Sequence, residues 1–456
     1  MRLMELSKEK IDEQLRRGKI TVSVVGLGRV GLPTACILAE AGARVLGVDI
    51  DSEVVRDTNL GKCRLVDEPG LDGLLRRVVK EGKLKASEDY SAFISKSDAI
   101  IVSVPTPISD SRVPHCEAIL DSFRRIGESI RRSTLVVVES TISPGMVENT
   151  IIPLIEKCSG MKVVKDFGIA SCPERASPGE ALANMKSLPR VVGGIDRKST
   201  EIAATLYRSA FGVKVMEVPD PKTANAVKLT ENIFRDVNIA LMNEFAVLYE
   251  KLGIDVITVI NTCATKWNFV PHYPGAGVGG PCLPANAYYI IDEGQKAGYI
   301  PHLIRMAREI NDRMPDHVVT LVTEALNSIG KVVSRSKIAI LGVSYKPNVH
   351  DLQITPMKHV FENLEKMGAC LTIYDPMFKR EKVFGLTVHG TLEGAVANAD
   401  CIVIGTAHKE FRTVDLKRIH QICRKPAALV DTANVVVPKE AKEAGFSYLG
   451  VGRRFA

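Results

Sequence analysis

The chain has 456 residues, more than one ordinary core accommodates, and its 45% hydrophobic and 25% charged content is that of a folded globular protein. The formal charge of +7 is not gathered into a long basic run and aromatics supply only 5%, which argues against nucleic-acid binding. No stretch has the apolar length of a membrane span, and the ten cysteines include no C-x-x-C pair and no metal-ligand spacing with histidine; the reading is a reducing, cytoplasmic setting without a metal.

Residues 1–19 read as a charged amphipathic helical extension with Leu3, Leu6, Ile11 and Leu15 near one face, lacking the apolar core of a signal peptide. One pattern then occurs twice. The runs 21–28, 44–49, 97–105 and 134–140 are short, apolar and end in loops, the second of them in Asp49. The runs 336–346, 370–375, 399–408 and 427–434 repeat this, the second again ending in an acid. Such runs, alternating with helical stretches, indicate parallel strands covered on both faces. The expected fold is α/β, with two Rossmann-like doubly wound parallel-sheet domains at 20–215 and 331–456. A helical region at 216–330 joins them. Its 221–253 stretch reads as one long central helix, with Pro221 in the first turn and Gly253 at the C-terminal cap. That length suggests a spine between domains and a homodimer seam.

Gly26-Leu27-Gly28-Arg29-Val30-Gly31 follows a strand, opens a helix and precedes Asp49 at the end of the second strand. That context is the dinucleotide fingerprint: a tight turn at Gly26, backbone approach to the pyrophosphate at Gly28, and close packing at Gly31. Asp49 can accept the ribose hydroxyls and repels a 2′-phosphate, so NAD is expected rather than NADP. Loops at later strand ends, with Pro105, Thr106 and Thr141, should border the nicotinamide. By position alone, turn or cap roles for the two threonine hydroxyls weigh equally with ligand contact.

Three middle segments carry further polar groups. Glu174, in Cys172-Pro173-Glu174-Arg175, ends a buried strand, where a surface carboxylate and a general base weigh equally. Asn225, Lys228, Asn232 and Arg235 form one helical stripe, ordinarily a solvated face. Lys228 and Asn232, one turn apart, could instead converge on an oxyanion. From Tyr273 to Cys282, Gly275, Gly277, Gly279 and Gly280 exclude a regular element and could display the thiol to a ligand, although most cytosolic cysteines are small buried hydrophobes.

Taken together, GLGRVGLP, DEPGL at 67–71, the PTP loop, ESTISPG, CPER-x-x-PG, VKLTEN, YPGAGVGGPC, GVSYKPNVHD and the terminal GVGR resemble the UDP-glucose/GDP-mannose dehydrogenase family over about residues 20–452. The resemblance implies an NAD-binding domain, a helical dimerisation region and a C-terminal nucleotide-sugar domain. It implies a four-electron oxidation of a sugar C6 hydroxymethyl, through a thiohemiacetal and a thioester on Cys282. It assigns oxyanion stabilisation to Lys228 and Asn232, action on water to Glu174, proximity to the nicotinamide to Thr141, and nucleotide-sugar approach to Lys346. Arg175, Tyr273 and Gly279 fall in matched motifs at the expected UDP-sugar site. Arg29, Val30 and Pro105 fall in those at the cofactor.

Three stretches depart from the family pattern. Asn286 stands where an acid is usual, preceded by Ala285 where a lysine is common. Ala433 replaces an arginine in Asp431-Thr432-Ala433-Asn434, and Gln353-Ile354-Thr355 replaces Arg-Glu-Ser. The stretch ending YPGAGVGGPC, with PER-x-x-PG, is closer to the branch acting on UDP-N-acetylhexosamines, with UDP-N-acetyl-D-mannosamine or UDP-N-acetyl-D-glucosamine as substrate. UDP-glucose or GDP-mannose oxidation, a one-step alcohol dehydrogenase and a non-catalytic nucleotide-sugar-binding paralogue are the alternatives.

Overall fold

Each apolar run expected in the first half becomes a strand, because both faces of its sheet are covered by helices and most of its side chains are buried. The structure is a computed structural model that describes residues 3–109 and 111–453. It divides into two compact units, Met1–Glu231 with Tyr288–Tyr299, and Asn232–Ala287 with Ile300–Ala456.

In the first unit the strands are β1 (Thr21–Val25), β2 (Arg44–Val48), β3 (Leu84–Ser87), β4 (Ala99–Val102), β5 (Leu135–Val138), β6 (Gly168–Ser171), β7 (Arg190–Gly194) and β8 (Val215–Val218). They lie in the order β3-β2-β1-β4-β5-β6-β7-β8. All neighbours are parallel except β6 and β7. The order reverses between β1 and β4, so a crevice opens there at the carboxyl ends of the strands. The N-terminal extension forms α1 (Lys8–Arg16) after a short 3-10 turn. Its Leu3, Ile11 and Leu15 are buried in one core with Ile202, Leu206 and Tyr207, worth about 2 kcal/mol per side chain in gross transfer energy. Helix α2 (Gly31–Glu40) follows the glycine fingerprint, and α3 (Arg197–Phe211) follows β7.

The long helix α4 (Pro221–Leu252) matches the expected span, and Gly253 after it adopts a φ of +69° as a left-handed cap requires. Of the expected polar stripe, Asn225 and Lys228 are buried, Asn232 is half-buried and Arg235 exposed. Further along, Asp236, Asn243 and Glu250 are buried, while Phe234, Leu241 and Leu248 on another face are 54%, 42% and 45% exposed. The unit boundary falls within this helix, between Glu231 and Asn232.

In the second unit β9 (Lys337–Leu341), β10 (Cys370–Tyr374), β13 (Cys401–Ile404), β14 (Ala428–Asp431) and β15 (Ser447–Gly450) form a parallel sheet in the order β10-β9-β13-β14-β15. A hairpin of β11 (Lys382–Val383) and β12 (Leu386–Thr387) stands apart from it. Helix α5 (Leu283–Lys296) begins in this unit and ends in the first; α6 (His302–Ser328) and α7 (Pro356–Lys366) belong to the second. A buried polar chain ties α4 to α6. Asp236 Oδ1 accepts from Arg308 Nη1 at 2.6 Å and from Asn311 Nδ2 at 2.9 Å. Asn311 accepts from Asn243 Nδ2 at 2.9 Å, and Asn243 Oδ1 accepts from the backbone of Gly275 at 3.0 Å. Burial pushes the Asp236 carboxyl up although the Arg308 guanidinium faces it. Removing one member leaves the other charge buried and under-paired, so Asp236→Ala should lower unfolding free energy by about 3 kcal/mol, read from urea titrations. A loss under about 1 kcal/mol would show that Asp312, the second partner of Arg308, carries the guanidinium alone.

Candidate active site

The cofactor end lies in the first unit, where β1 turns into α2. Gly26 has a φ of +86°, and a Cβ on it would stand 2.8 Å from the carbonyl oxygen of Ser103. A Cβ on Gly31 would stand 1.8 Å from the oxygen of Gly26, so helix and turn touch backbone to backbone, whereas a Cβ on Gly28 would meet nothing. The open face at Gly28, ahead of the α2 N-terminus at Val30, is where a pyrophosphate fits. Asp49 follows β2 and is half-buried. Its Oδ2 accepts from Leu27 N at 2.7 Å and its Oδ1 from Asp51 N at 3.0 Å, which leaves carboxylate lone pairs for ribose hydroxyls. The residues present therefore fit NAD.

Arg29 is committed differently from the simple cofactor contact expected. Its Nη1 reaches both carboxylate oxygens of Asp67, at 3.0 and 2.9 Å. The adjoining Glu68 accepts from Gly179 N at 2.6 Å and Ala181 N at 2.8 Å, and burial raises its carboxyl. DEPGL thus straps the fingerprint turn to the loop after Glu174. The two expected nicotinamide loops are joined directly: Thr106 Oγ1 donates to the Thr141 carbonyl at 2.7 Å, and Tyr289 donates to the Thr106 carbonyl at 2.9 Å. Pro105 is exposed and Thr141 half-buried.

Glu174 is no surface carboxylate. It is 8% exposed, and its Oε1 accepts from Arg175 N at 2.7 Å and Ala176 N at 2.6 Å. Its Oε2 forms an ion pair with the buried Arg190. Arg175 turns away to Glu231 on α4, 3.0 Å from Nε to Oε2. Sequence reasoning missed Arg190; the available signal was a cation heading an otherwise apolar strand. On α4, Asn225 is buried and donates to Ser171 Oγ at 3.1 Å. Lys228 is 8% exposed and has no hydrogen-bond or ion-pair partner among the described residues. The side chain is packed along most of its length and its ammonium is left with no protein acceptor, so its donors are available to an anionic group. Arg235, the last member of the expected stripe, is exposed.

The thiol end lies in the second unit. Cys282 immediately precedes α5 and is exposed, whereas Cys36, Cys172, Cys401 and Cys423 are buried. The first peptide N–H groups of a helix have no intrahelical acceptor, so that end offers donors to an oxyanion. The glycine loop before Cys282 is pressed onto the segment after β9. Gly280 N donates to Gln353 O at 3.0 Å. A Cβ on Gly279 would stand 2.6 Å from Ile354 O, and one on Gly280 2.5 Å from the Tyr345 ring, where φ is +87°. Tyr273 donates to Asn261 Oδ1 at 2.9 Å, and Lys346 is half-buried in the segment that receives the loop. Asn286 is buried and accepts from Asn232 Nδ2 at 2.5 Å, so the two amides hold one another.

The acid after β10 repeats the place of Asp49 and not its accessibility. Asp375 is fully buried; its Oδ2 accepts from Val343 N at 2.8 Å, Ser344 Oγ at 2.9 Å and His408 Nε2 at 3.1 Å. Burial would push this carboxyl up, but His408 and the backbone donors override it and hold it below its ordinary value. No ribose can reach it, so the second sheet keeps the dinucleotide topology with its acid sealed.

A fingerprint turn, an accessible acid after β2 and polar groups at the later strand ends define an NAD-dependent oxidoreductase in the first unit. The family models agree: the UDP-glucose/GDP-mannose dehydrogenase NAD binding domain matches residues 20–211, its central domain 222–313 and its UDP binding domain 339–438. The chain is 36% identical to a UDP-N-acetyl-D-mannosamine dehydrogenase of Pyrococcus horikoshii over 95% of this chain and 99% of that one. It is 32% identical to a UDP-N-acetyl-D-glucosamine 6-dehydrogenase of Pseudomonas aeruginosa, over 90% and 96% respectively. A solved UDP-D-ManNAc dehydrogenase structure from P. horikoshii superposes with a TM-score of 0.88 at 35% identity, covering 95% of this chain and all of that one. The chain belongs to the UDP-glucose/GDP-mannose dehydrogenase family and is an NAD-dependent nucleotide-sugar dehydrogenase. No helix among the described residues is long and apolar enough to cross a membrane.

Gly280→Ala should strain the loop and push Tyr345, lowering kcat by about tenfold or more while leaving the dissociation constant for NAD within about twofold. Steady-state kinetics with fluorescence titration of the cofactor checks both. An equal loss of cofactor affinity would contradict a local effect on the thiol loop.

Proposed function

We propose that the protein oxidises the C6 hydroxymethyl of a UDP-N-acetylhexosamine, UDP-N-acetyl-D-mannosamine first, to the uronic acid through covalent catalysis on Cys282. The observation that carries this reading is Lys228, a largely buried lysine whose ammonium has no partner among the described residues, one turn from Asn232. NAD held at the fingerprint turn would supply the oxidising power, two molecules in succession each taking one hydride from C6. Lys228 and Asn232 stabilise the alkoxide left as the C6 hydroxyl gives its proton to solvent water, and the oxyanion of each later tetrahedral species. The Cys282 Sγ bonds to the aldehyde carbon as a thiohemiacetal, which holds the carbon in place and keeps a C–H for the second oxidation. That second oxidation leaves a thioester. Water then adds to the thioester carbon and gives a proton to Glu174; the C–S bond breaks with its electron pair on Sγ, releasing the carboxylate. Asn286 is bound to Asn232 and has no basic lone pair, so the water step falls to Glu174.

Thr141 borders the nicotinamide, while Arg175, Tyr273, Gly279 and Lys346 shape the UDP-sugar site. The N-acetylhexosamine preference rests on the similarity to relatives that carry those substrates in their names. Full conversion of UDP-N-acetyl-D-mannosamine should yield two NADH per sugar, counted by absorbance against the uronate formed. Cys282→Ser should abolish acid formation, by a factor on the order of 10³ or more, and still bind the nucleotide-sugar. One NADH per sugar, or four-electron turnover in that variant, would sink the covalent mechanism.

The apolar stripe of α4 supports a homodimer. Phe234, Leu241 and Leu248 recur every seven residues along a 32-residue helix and remain exposed in the single chain, as an unpartnered helix-packing seam does. Sedimentation should show a dimer, and Leu241→Glu should shift it to monomer at low micromolar concentration. A monomeric parent protein would remove this reading.

A further inference from the structure

The antiparallel step between β6 and β7 has a chemical consequence. Ser171 pairs with Gly193 across it, and continuing that register by three residues places Glu174 opposite Arg190. The start of β7 thereby comes to the sheet edge where β5 and β6 end. Glu139, the first residue after β5, lies there too, and Arg190 Nη1 is 3.6 Å from Glu139 Oε1 as well as ion-paired to Glu174 Oε2. One guanidinium is shared by two carboxylates, all three residues being 8% exposed or less.

The rest of the cluster leaves Arg190 little freedom. Its guanidinium lies 4.5 Å from the Phe211 ring centre and 5.4 Å from that of Tyr207, and its Nη2 has no hydrogen-bond partner. Glu139 is fixed from three other elements: by Thr34 of α2 at 3.1 Å, Ser103 after β4 at 2.8 Å and Tyr207 of α3 at 2.7 Å, each a hydroxyl donor. Such a set of donors suits an ionised acid, while burial and the nearby Glu174 push the Glu139 carboxyl up. The other titratable groups facing the cluster are Tyr207 and the Cys172 thiol, both raised first by burial. Beyond them, Arg175 is engaged with Glu231.

We propose that Glu139 and Arg190 are positioning residues for the water step, with Glu139 sharing the charge of the Arg190 guanidinium so that Glu174, the nearer carboxylate, is not set against the whole cation and can take a proton. This rests on Glu174 being the group that acts on water. Arg190 undivided would hold Glu174 too firmly as the anion; with no Arg190, Glu174 would be a buried, unneutralised acid. A purely structural cluster would instead affect folding and every kinetic step alike.

Glu139→Gln separates the two, since it removes the charge, keeps the size, and leaves the Thr34 and Ser103 hydroxyls free to rotate and accept. The probe is the full-length enzyme with UDP-N-acetyl-D-mannosamine and excess NAD. NADH bursts report the two oxidations, and quenched-flow uronate release between about pH 5 and 9 reports hydrolysis. The acid limb of hydrolysis in Glu139→Gln should move to lower pH by about half a unit to one unit, with the plateau reduced and both bursts and KM for NAD within about twofold. A limb moved by less than about 0.2 unit, or bursts slowed as much as hydrolysis, overturns the proposal. Tyr207→Phe serves as a second variant if Glu139→Gln is unstable: losing one donor favours neutral Glu139 and should move the limb the same way by less, and an unmoved limb again overturns the proposal. Glu174→Gln tests the underlying reading independently. Accumulation of thioester with intact bursts supports it, and hydrolysis at the parent rate refutes the role of Glu174 itself.

Discussion

One helix that buries a row of polar side chains sets the terms for the rest of the chain. On α4, Asn225, Lys228, Asp236, Asn243 and Glu250 are buried alongside Leu229, Met242 and Ala246, while Phe234, Leu241 and Leu248 are left on the surface. A helix can be built this way only where each buried polar group finds a partner or a ligand. Asn225 finds Ser171 in the first unit; Asn232, Asp236, Asn243 and Glu250 find Asn286, Arg308, Gly275 and the backbone of Gly452 in the second. Lys228 finds none among the described residues. Every other buried polar side chain of this row is held by a protein partner.

The two parallel sheets show how one topology is given two tasks. In each, an acid after the second strand accepts a backbone N–H from the turn after the first, Leu27 for Asp49 and Val343 for Asp375. Asp49 keeps lone pairs open beside an uncovered Gly28. Asp375 is surrounded by Ser344 and His408, whose donors consume the same lone pairs. Access to a single carboxylate distinguishes a dinucleotide site from a sealed copy of one. The antiparallel β6–β7 step is the other departure from a plain doubly wound sheet, and it sets a cation between two strand-end acids that a fully parallel sheet would leave facing one another.

Much of this was legible before any coordinates. The glycine fingerprint, Asp49, the span of α4 and the alternation of apolar runs each rest on short-range rules: φ at Gly26, periodicity, capping and strand length. Lys228 and Asn232 could be paired from helical spacing alone, and Cys282 stood out because four glycines before it excluded a regular element. Arg29 and Glu174 were found as residues but not as interactions, because their partners Asp67 and Arg190 lie 38 and 16 positions away. For the stripe on α4 a solvated face and a ligand-facing pair both stayed open, since nothing in an i, i+3, i+7 pattern tells which side of a helix meets water; Asn225 and Lys228 are buried and Arg235 is exposed.

The sequence by itself determined the local geometry and the parts list: where backbone must turn, which runs are strands, which residues can accept, donate or attack. Tertiary structure alone decided which of those groups are neutralised and which are left available. Desolvation and pairing depend on neighbours brought together across the sheet edge, and no local pattern records them. Asp49 and Asp375 look alike in the chain and differ only in what folds around them; Lys228 looks like any helix lysine until packing covers its stem and leaves its ammonium with no protein acceptor among the described residues.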